Sequence, residues 1–158
     1  MDDFLTLLTT EDVRSMGAAW PYLNELQISL PINFDVLLEI VQRFPELRYL
    51  RIISLQLGEF ENPEFNIPMH LSHSLLSFHI YEAYSLSEDD KISSNNIVTL
   101  AQCTDIIFPD LELLEVSADE PLALVGTIIS AFKTARKDQE TRILGRPSKK
   151  KIVTVEYH

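Results

Sequence analysis

Cysteine and long apolar segments are scarce in this sequence. Cys103 is the only cysteine in 158 residues, which excludes an internal disulfide and a cysteine-rich zinc site and is typical of a reducing compartment. No window of about twenty residues is uniformly apolar and free of charge. The opening residues, MDDFLTLLTTEDV, carry acids where a secretory signal carries bases. We therefore predict a cytoplasmic or nuclear protein with no membrane partner.

Basic residues are rare over most of the chain. Residues 1–132 contain 5 Lys and Arg against 21 Asp and Glu, whereas residues 133–158 contain 8 against 3. An acidic body repels the phosphates of nucleic acids, so a nucleic-acid role would have to rest on the basic end alone. We therefore expect no nucleic-acid partner.

Motifs for catalysis and metal binding are missing as well. The four glycines form no G-x-S-x-G, P-loop or dinucleotide-binding pattern, and an acidic surface explains the many carboxylates. Cys103 lies in a predicted helix and is interpreted as a small core residue. His70, His73 and His79 cluster in MHLSHSLLSFHI, but the first two fall in a predicted loop, and no cysteine or close carboxylate completes a ligand set. We expect no enzyme activity, no cofactor and no metal site.

One phrase recurs along the chain. WPYLNELQI (20–28), FPELRYLRI (44–52) and FPDLELLEV (108–116) share an aromatic–proline pair, and HSLLSFHI (73–80) repeats their pattern without the proline. Apolar residues at alternate positions at the end of each phrase place one face of a short strand on a core. The predicted core positions are Leu23, Leu26 and Ile28; Leu47, Leu50 and Ile52; Leu75, Phe78 and Ile80; and Leu111, Leu114 and Val116.

Helical periodicity precedes three of the four phrases. Proline disfavours the helical conformation in the residue before it, so each helix should end at the aromatic residue, Trp20, Phe44 or Phe108. The predicted N-terminal residues are Thr10, Asn33 or Asp35, and Asn95 or Asn96. The predicted inward residues are Val13, Met16 or Gly17, and Trp20 in the first helix; Leu37, Leu38, Val41 and Phe44 in the second; and Ile97, Leu100, Ala101, Thr104 and Phe108 in the third.

The unit of helix, aromatic–proline pair, strand and loop recurs at steps of 24, 28 and 36 residues. A strand, a crossover helix and a parallel neighbouring strand form a right-handed connection, and stacked units of this kind form a solenoid. The L-x-x-L-x-L core with a period in the twenties is the leucine-rich repeat pattern. We predict an α/β fold, an irregular leucine-rich repeat solenoid with short parallel strands on the concave face and helices on the convex face.

Two departures from regular repeats make the predicted arc irregular. Regular repeats carry Asn or Cys three residues beyond the last core position. The residues at that place in this chain are Pro31, Leu55, Ala83 and Asp119. Predicted loops at 61–69 and 85–96 lengthen the steps between units.

The chain divides into a repeat domain, residues 1–137, and a basic tail, residues 138–158. The domain holds about four repeats and a capping helix over 118–137, with Pro121 in its first turn. The apolar stripe of this helix is predicted to be Leu122, Val125, Ile128 or Ile129, and Phe132. The tail joins GRPSKKK to a short strand-like run, IVTVEY. GRPSKKK is either a nuclear localisation signal or a solvated link.

The phrases LTTEDVRSMGAAWPYLNELQISL, FPELRYLRI and IIFPDLELLEV resemble the C-terminal leucine-rich repeat region of fungal F-box-type proteins, over roughly residues 8–120. In that family the F-box docks the adaptor of a cullin-type ubiquitin ligase, and the repeats hold the protein to be ubiquitinated. No residues here match an F-box. The resemblance therefore implies the substrate-recognition part of such a receptor, with the adaptor as a partner only if an F-box lies upstream. The alternative is a stand-alone leucine-rich repeat scaffold or regulator unrelated to ubiquitin.

The predicted concave face carries the strand residues that lie between the core positions. Its central row is Gln27, Arg51, His79 and Glu115, and its flanking rows are Glu25, Tyr49, Ser77 and Leu113, and Ser29, Ile53, Tyr81 and Ser117. We predict a protein-binding site made of Glu25, Gln27, Tyr49, Arg51, His79, Tyr81 and Glu115. Tyr49, Arg51 and Tyr81 are the first candidates, because Tyr and Arg are common at interface hot spots. The alternative interpretation is a solvated strand face.

Overall fold

A computed structural model describes residues 7–57, 72–85, 92–117, 122–144 and 154–157. Helices and strands are interspersed along these ranges, and the strands form one parallel sheet, so the predicted α/β class is confirmed. In chain order the elements are α1 (Thr10–Ala19), β1 (Glu25–Ile28), β2 (Ile32–Asn33), α2 (Phe34–Arg43), β3 (Tyr49–Leu57), β4 (Ser77–Ser85), α3 (Ser94–Ile107), β5 (Leu113–Val116), α4 (Leu122–Leu144) and β6 (Thr154–Tyr157).

The sheet runs in the order β1-β3-β4-β5-β6, and the short β2 pairs with the second half of β3. Its register places equivalent positions of the four phrases side by side. Leu26 lies opposite Leu50, Leu50 opposite Phe78, and Phe78 opposite Leu114. The alignment made from the repeated phrase is therefore the alignment that the strands adopt.

One face of the sheet packs on the helices and forms the core. Of the twelve predicted core positions, Leu23 is partly buried and the other eleven are buried. Phe78 lies at the centre, fully buried, with its ring centroid 5.4 Å from that of Phe108 at the end of α3. Alternation of buried and exposed residues in β1 and in the first half of β3 leaves the opposite face of the sheet open.

The three helices end where the aromatic–proline pairs predict. Trp20, Phe44 and Phe108 are the C-terminal caps of α1, α2 and α3, and each donates its N–H to the carbonyl four residues earlier. The predicted inward position is confirmed for Phe44 and Phe108, which are buried, but it is wrong for Trp20, which is 55% exposed. Trp20 belongs to the first unit, and within the described residues no strand lies on the outer side of β1 to cover it.

The helix starts differ from prediction in two of three cases. Asn33 caps α2 as predicted, since its side chain accepts the N–H of Val36. In α1 the cap is Thr9 and not Thr10, because Thr9 and Asp12 form a reciprocal capping box with distances of 2.9 and 3.2 Å. In α3 the cap is Ser93, whose hydroxyl accepts the N–H of Asn96, and so residues 94–96 are helical where a loop was predicted.

The middle strands are longer than the repeated phrase. β3 and β4 each span nine residues, and β2 pairs Ile32 with Leu55. Leu55 and Leu57 are buried at 0% and 1% exposure, so an apolar contact occupies the position that holds Asn or Cys in regular repeats. The predicted loop at 61–69 lies outside the described residues.

The last helix and strand extend beyond the predicted capping helix. Leu122, Val125 and Ile129 of α4 are buried, with Ile128 and Phe132 partly buried, as the apolar stripe predicted. The helix continues to Leu144, past the predicted end of the repeat domain at residue 137. Part of the strand-like tail, residues 154–157, forms β6 and pairs with β5 in the sheet. Pro121 and the GRPSKKK segment lie outside the described residues.

Candidate functional site

The open face of the sheet displays the side chains that lie between the core positions. Its central row runs Gln27, Arg51, His79 and Glu115, and β6 adds Glu156. One flanking row runs Glu25, Tyr49, Ser77 and Leu113, and β6 adds Thr154. The structure therefore brings all seven predicted site residues to one sheet, and neighbouring residues of a row are about 4.8 Å apart across the strands.

The most exposed part of the open face lies on β1 and β3. Glu25, Gln27 and Arg51 are exposed, and Tyr49 is 51% exposed although it lies on a central strand. Within the described residues, the Arg51 guanidinium forms no ion pair. An aromatic ring and a cation are thus presented side by side on rigid backbone.

His79 differs from its neighbours because it is only 5% exposed. Its Nδ1 lies 2.7 Å from Oε2 of Glu115 on the next strand, and its ring stacks on Tyr81 with centroids 4.1 Å apart. Tyr81 remains 44% exposed beyond it. The imidazole of His79 therefore contacts both Glu115 and Tyr81, and its direct contact with a partner stays a prediction.

Glu115 is the carboxylate that lies close to His79. The two residues are adjacent in the central row, so the register predicted from the sequence already placed them side by side. Histidine–carboxylate contact at 2.7 Å is strongest when the imidazole is protonated. The pair supplies two ligand groups, and among the described residues no cluster of three or more His, Cys, Asp or Glu could hold a metal ion.

A shallow hollow of about 100 Å³ lies in the open face where β1, β3 and β4 meet. Side chains of both charges surround it: Glu25 and Glu115 carry carboxylates, and Arg51 carries the cation. Its size fits one side chain of a bound protein and is below the range of sites for small-molecule ligands.

His73 lies in the loop between β3 and β4 but is buried at 5% exposure. Its Nε2 donates to the carbonyl of Phe44 at 2.8 Å, and its backbone N–H donates to the carbonyl of Ile107 at 2.8 Å. These are the C-terminal ends of α2 and α3, so His73 links two neighbouring helices. Burial lowers the pKa of His73 below 6.5, against the hydrogen bond to Phe44, and the nearby Arg48 charge lowers the pKa further. His70 lies outside the described residues.

Cys103 is buried in α3, as the sequence predicted for a small core residue. Burial raises the pKa of its thiol to about 11. Since the thiolate is the nucleophilic form, this thiol is unreactive at neutral pH.

The helical side of the molecule carries two ion-pair clusters. Glu39 of α2 accepts from Arg14 and Arg43, and these hydrogen bonds lower the pKa of its carboxyl group. On α3, Asp105 pairs with Arg136 of α4, but burial outweighs this partner and raises the pKa of Asp105. Both clusters join neighbouring helices, and this accounts for them as structural contacts.

No protein-family model, curated protein or solved structure matches this chain. None of the helices in the described ranges is both long and apolar enough to cross a bilayer. Function is therefore inferred from the chemistry of the open face.

Proposed function

We propose that this chain is a non-catalytic protein-binding module of the leucine-rich repeat type, and that the open face of its sheet receives the partner. Three features support the repeat assignment. All strand pairs are parallel, α2 lies between β1 and β3 and α3 between β4 and β5, and the leucine positions of the repeated phrase point into one shared core. Solenoids of this kind bind partners through the extended surface that their strands create.

The observation that carries the proposal is the exposure of Tyr49 and Arg51 beside each other in the sheet, with Tyr81 nearby on β4. Half-exposed tyrosines on central strands leave apolar area in water, and burying that area against a partner stabilises a complex. The backbone under these residues is fixed by strands on both sides, so little conformational entropy is lost on binding.

The resemblance to fungal F-box-type proteins extends this proposal to a specific role. We infer that the bound protein is a ubiquitination substrate and that this chain supplies the substrate-recognition part of the receptor. A stand-alone scaffold or regulator would use the same face. Sequencing the 5′ end of the transcript separates the two, because an upstream F-box pattern supports the receptor and a confirmed start at Met1 favours the scaffold.

Affinity capture tests the binding face directly. The wild-type chain and the variants Tyr49→Ala and Arg51→Ala are used as baits in the same lysate, and captured proteins are quantified by mass spectrometry. We expect each variant to lose the same set of proteins, with affinity reduced about 30-fold for a hot-spot loss of about 2 kcal/mol.

Gln42→Ala is the matched control, since Gln42 is exposed on α2 on the helical side of the sheet. Capture that survives both face variants, or that is lost equally in Gln42→Ala, would remove the open face from consideration.

A further inference from the structure

Each junction between neighbouring units uses the same hydrogen-bond pattern. Two consecutive N–H groups at the start of a strand donate to one carbonyl of the strand before it. Arg48 and Tyr49 donate to Asn24 at 2.8 and 3.1 Å, and Leu76 and Ser77 donate to Arg48 at 2.9 and 3.0 Å. Glu112 and Leu113 donate to Leu76 at 2.9 and 3.0 Å in the same way. The pattern can therefore be extended by adding another parallel strand.

The outer edge of β1 presents the N–H donors of this pattern. By register, Asn24 and Glu25 are equivalent to Arg48 and Tyr49, so their N–H groups point away from β3. Within the described ranges these two groups donate to no acceptor. Gln27, two residues further along the strand, faces outward by the same alternation.

The outer edge of β6 is the edge that would supply the carbonyl acceptors to a further strand. Thr154 donates to the carbonyl of Glu112 and so faces β5, and the alternation of a parallel ladder directs Val155 to the opposite side. In the described sheet no strand lies beyond β6. β1 and β6 run in the same direction as the rest of the sheet, so the β6 edge of one molecule matches the β1 edge of another.

Charge and exposed apolar side chains also favour contact between the β6 edge of one molecule and the β1 edge of another. Residues 7–31 around β1 contain one basic residue against three acids, whereas residues 133–144 of α4, the helix that packs against β6, contain four against two. Opposite ends therefore attract, and two like ends repel. Trp20 and Tyr22 are 55% and 84% exposed beside β1, and Tyr157 of β6 is 48% exposed.

We propose that the two sheet edges are docking surfaces for further copies of this chain, with β6 of one copy pairing in parallel with β1 of the next. The contact joins two different surfaces, so it does not close on itself as a twofold dimer and joins copies head to tail. This association involves the backbone edges and goes beyond the partner binding assigned to the open face.

Sedimentation velocity of the full 158-residue chain tests the proposal. The weight-average mass is expected to rise with protein concentration at about 0.1 M salt and to fall toward one chain at about 1 M, where the Debye length drops from about 10 Å to about 3 Å. A mass of one chain at every concentration in low salt overturns the proposal.

Proline variants identify the edges. Gln27→Pro removes an outward N–H of β1, and Val155→Pro removes one of β6, while each leaves the other edge intact. Each variant alone is expected to be monomeric. An equimolar mixture is expected to form a species of two chains and nothing larger, because only one pair of edges is compatible.

Gln27→Thr is the matched control, because it retains the N–H and should associate like the wild-type chain. Glu25→Lys provides a second test that does not depend on whether a proline variant folds. This substitution should weaken association at least several-fold in low salt. If Gln27→Pro and Glu25→Lys both associate like wild type, or if the proline variants do not combine when mixed, the edges are not the docking surfaces.

Discussion

At the scale of single residues, the neighbours of a side chain decide what it does. Trp20, Phe44 and Phe108 occupy the same place in the repeated phrase, and all three end a helix. Phe44 and Phe108 are covered by adjacent units, whereas Trp20 in the first unit is exposed. His73 and His79 are both buried, but one links two helix ends and the other supports the open face.

His73 makes folding stability depend on pH. Its pKa in the folded chain is lowered below 6.5 by burial, so below that pH the unfolded chain binds a proton that the folded chain does not. Its contribution is fully present above pH 6.5 and is lost as the pH falls from there toward the folded pKa. We expect the urea midpoint of unfolding to fall between about pH 7.5 and pH 5.5.

His73→Gln provides the comparison, because the amide can still donate to the Phe44 carbonyl but does not titrate. The variant should show a smaller decrease in midpoint over the same pH interval. An equal decrease in the two proteins would assign the pH dependence to other groups.

At the scale of elements, helix ends follow from short-range chemistry. The aromatic–proline pairs predicted all three C-terminal ends, because the steric effect of proline acts on the preceding residue. The N-terminal ends were predicted correctly only for α2, because several Thr, Ser and Asn residues near each helix start can cap a helix. Thr9 is the cap of α1 because Asp12 lies three residues after it and returns the hydrogen bond.

Gly126 allows β6 to lie against α4. A Cβ at Gly126 would lie 2.6 Å from Cγ1 of Val155, which is too close for any side chain. We expect Gly126→Ala to keep or lengthen α4, because alanine favours helix by about 1 kcal/mol, while β6 is displaced from β5. Hydrogen exchange at the Thr154 amide, which donates to Glu112, should then become faster.

Thr134→Ala is the control for this substitution, since Thr134 is exposed on the same helix. Wild-type protection of the Thr154 amide in Gly126→Ala would show that the close approach to Val155 is not required for β6 to pair.

At the scale of the whole molecule, the described helices and strands share one core. The buried residues of α1 to α4 and of β1 to β5 form a single cluster, and the partly buried Val155 of β6 packs against it. Each unit buries its leucine positions only because a neighbour covers them, so the units should unfold together.

Phe78→Ala tests this shared core, because Phe78 is fully buried at its centre against Phe108. We expect a loss of about 3–5 kcal/mol in the free energy of unfolding, still in one cooperative transition. Glu82→Ala on the same strand is exposed and should change stability by less than about 0.5 kcal/mol. Two separate transitions, or a loss of the same small size in both variants, would contradict a single core.

The sequence by itself determined where the repeated phrase forms strands, the register of those strands and the C-terminal ends of α1, α2 and α3. These depend on alternation, on proline and on the repeated phrase, which act over a few residues or repeat identically in each unit. Only the tertiary structure decided the exposure of Trp20, the burial of His79 under Tyr81, the burial of His73 between two helix ends and the docking of β6 on Gly126. Each of these depends on residues that are distant in the chain, and no local pattern records which distant groups the packed units bring together.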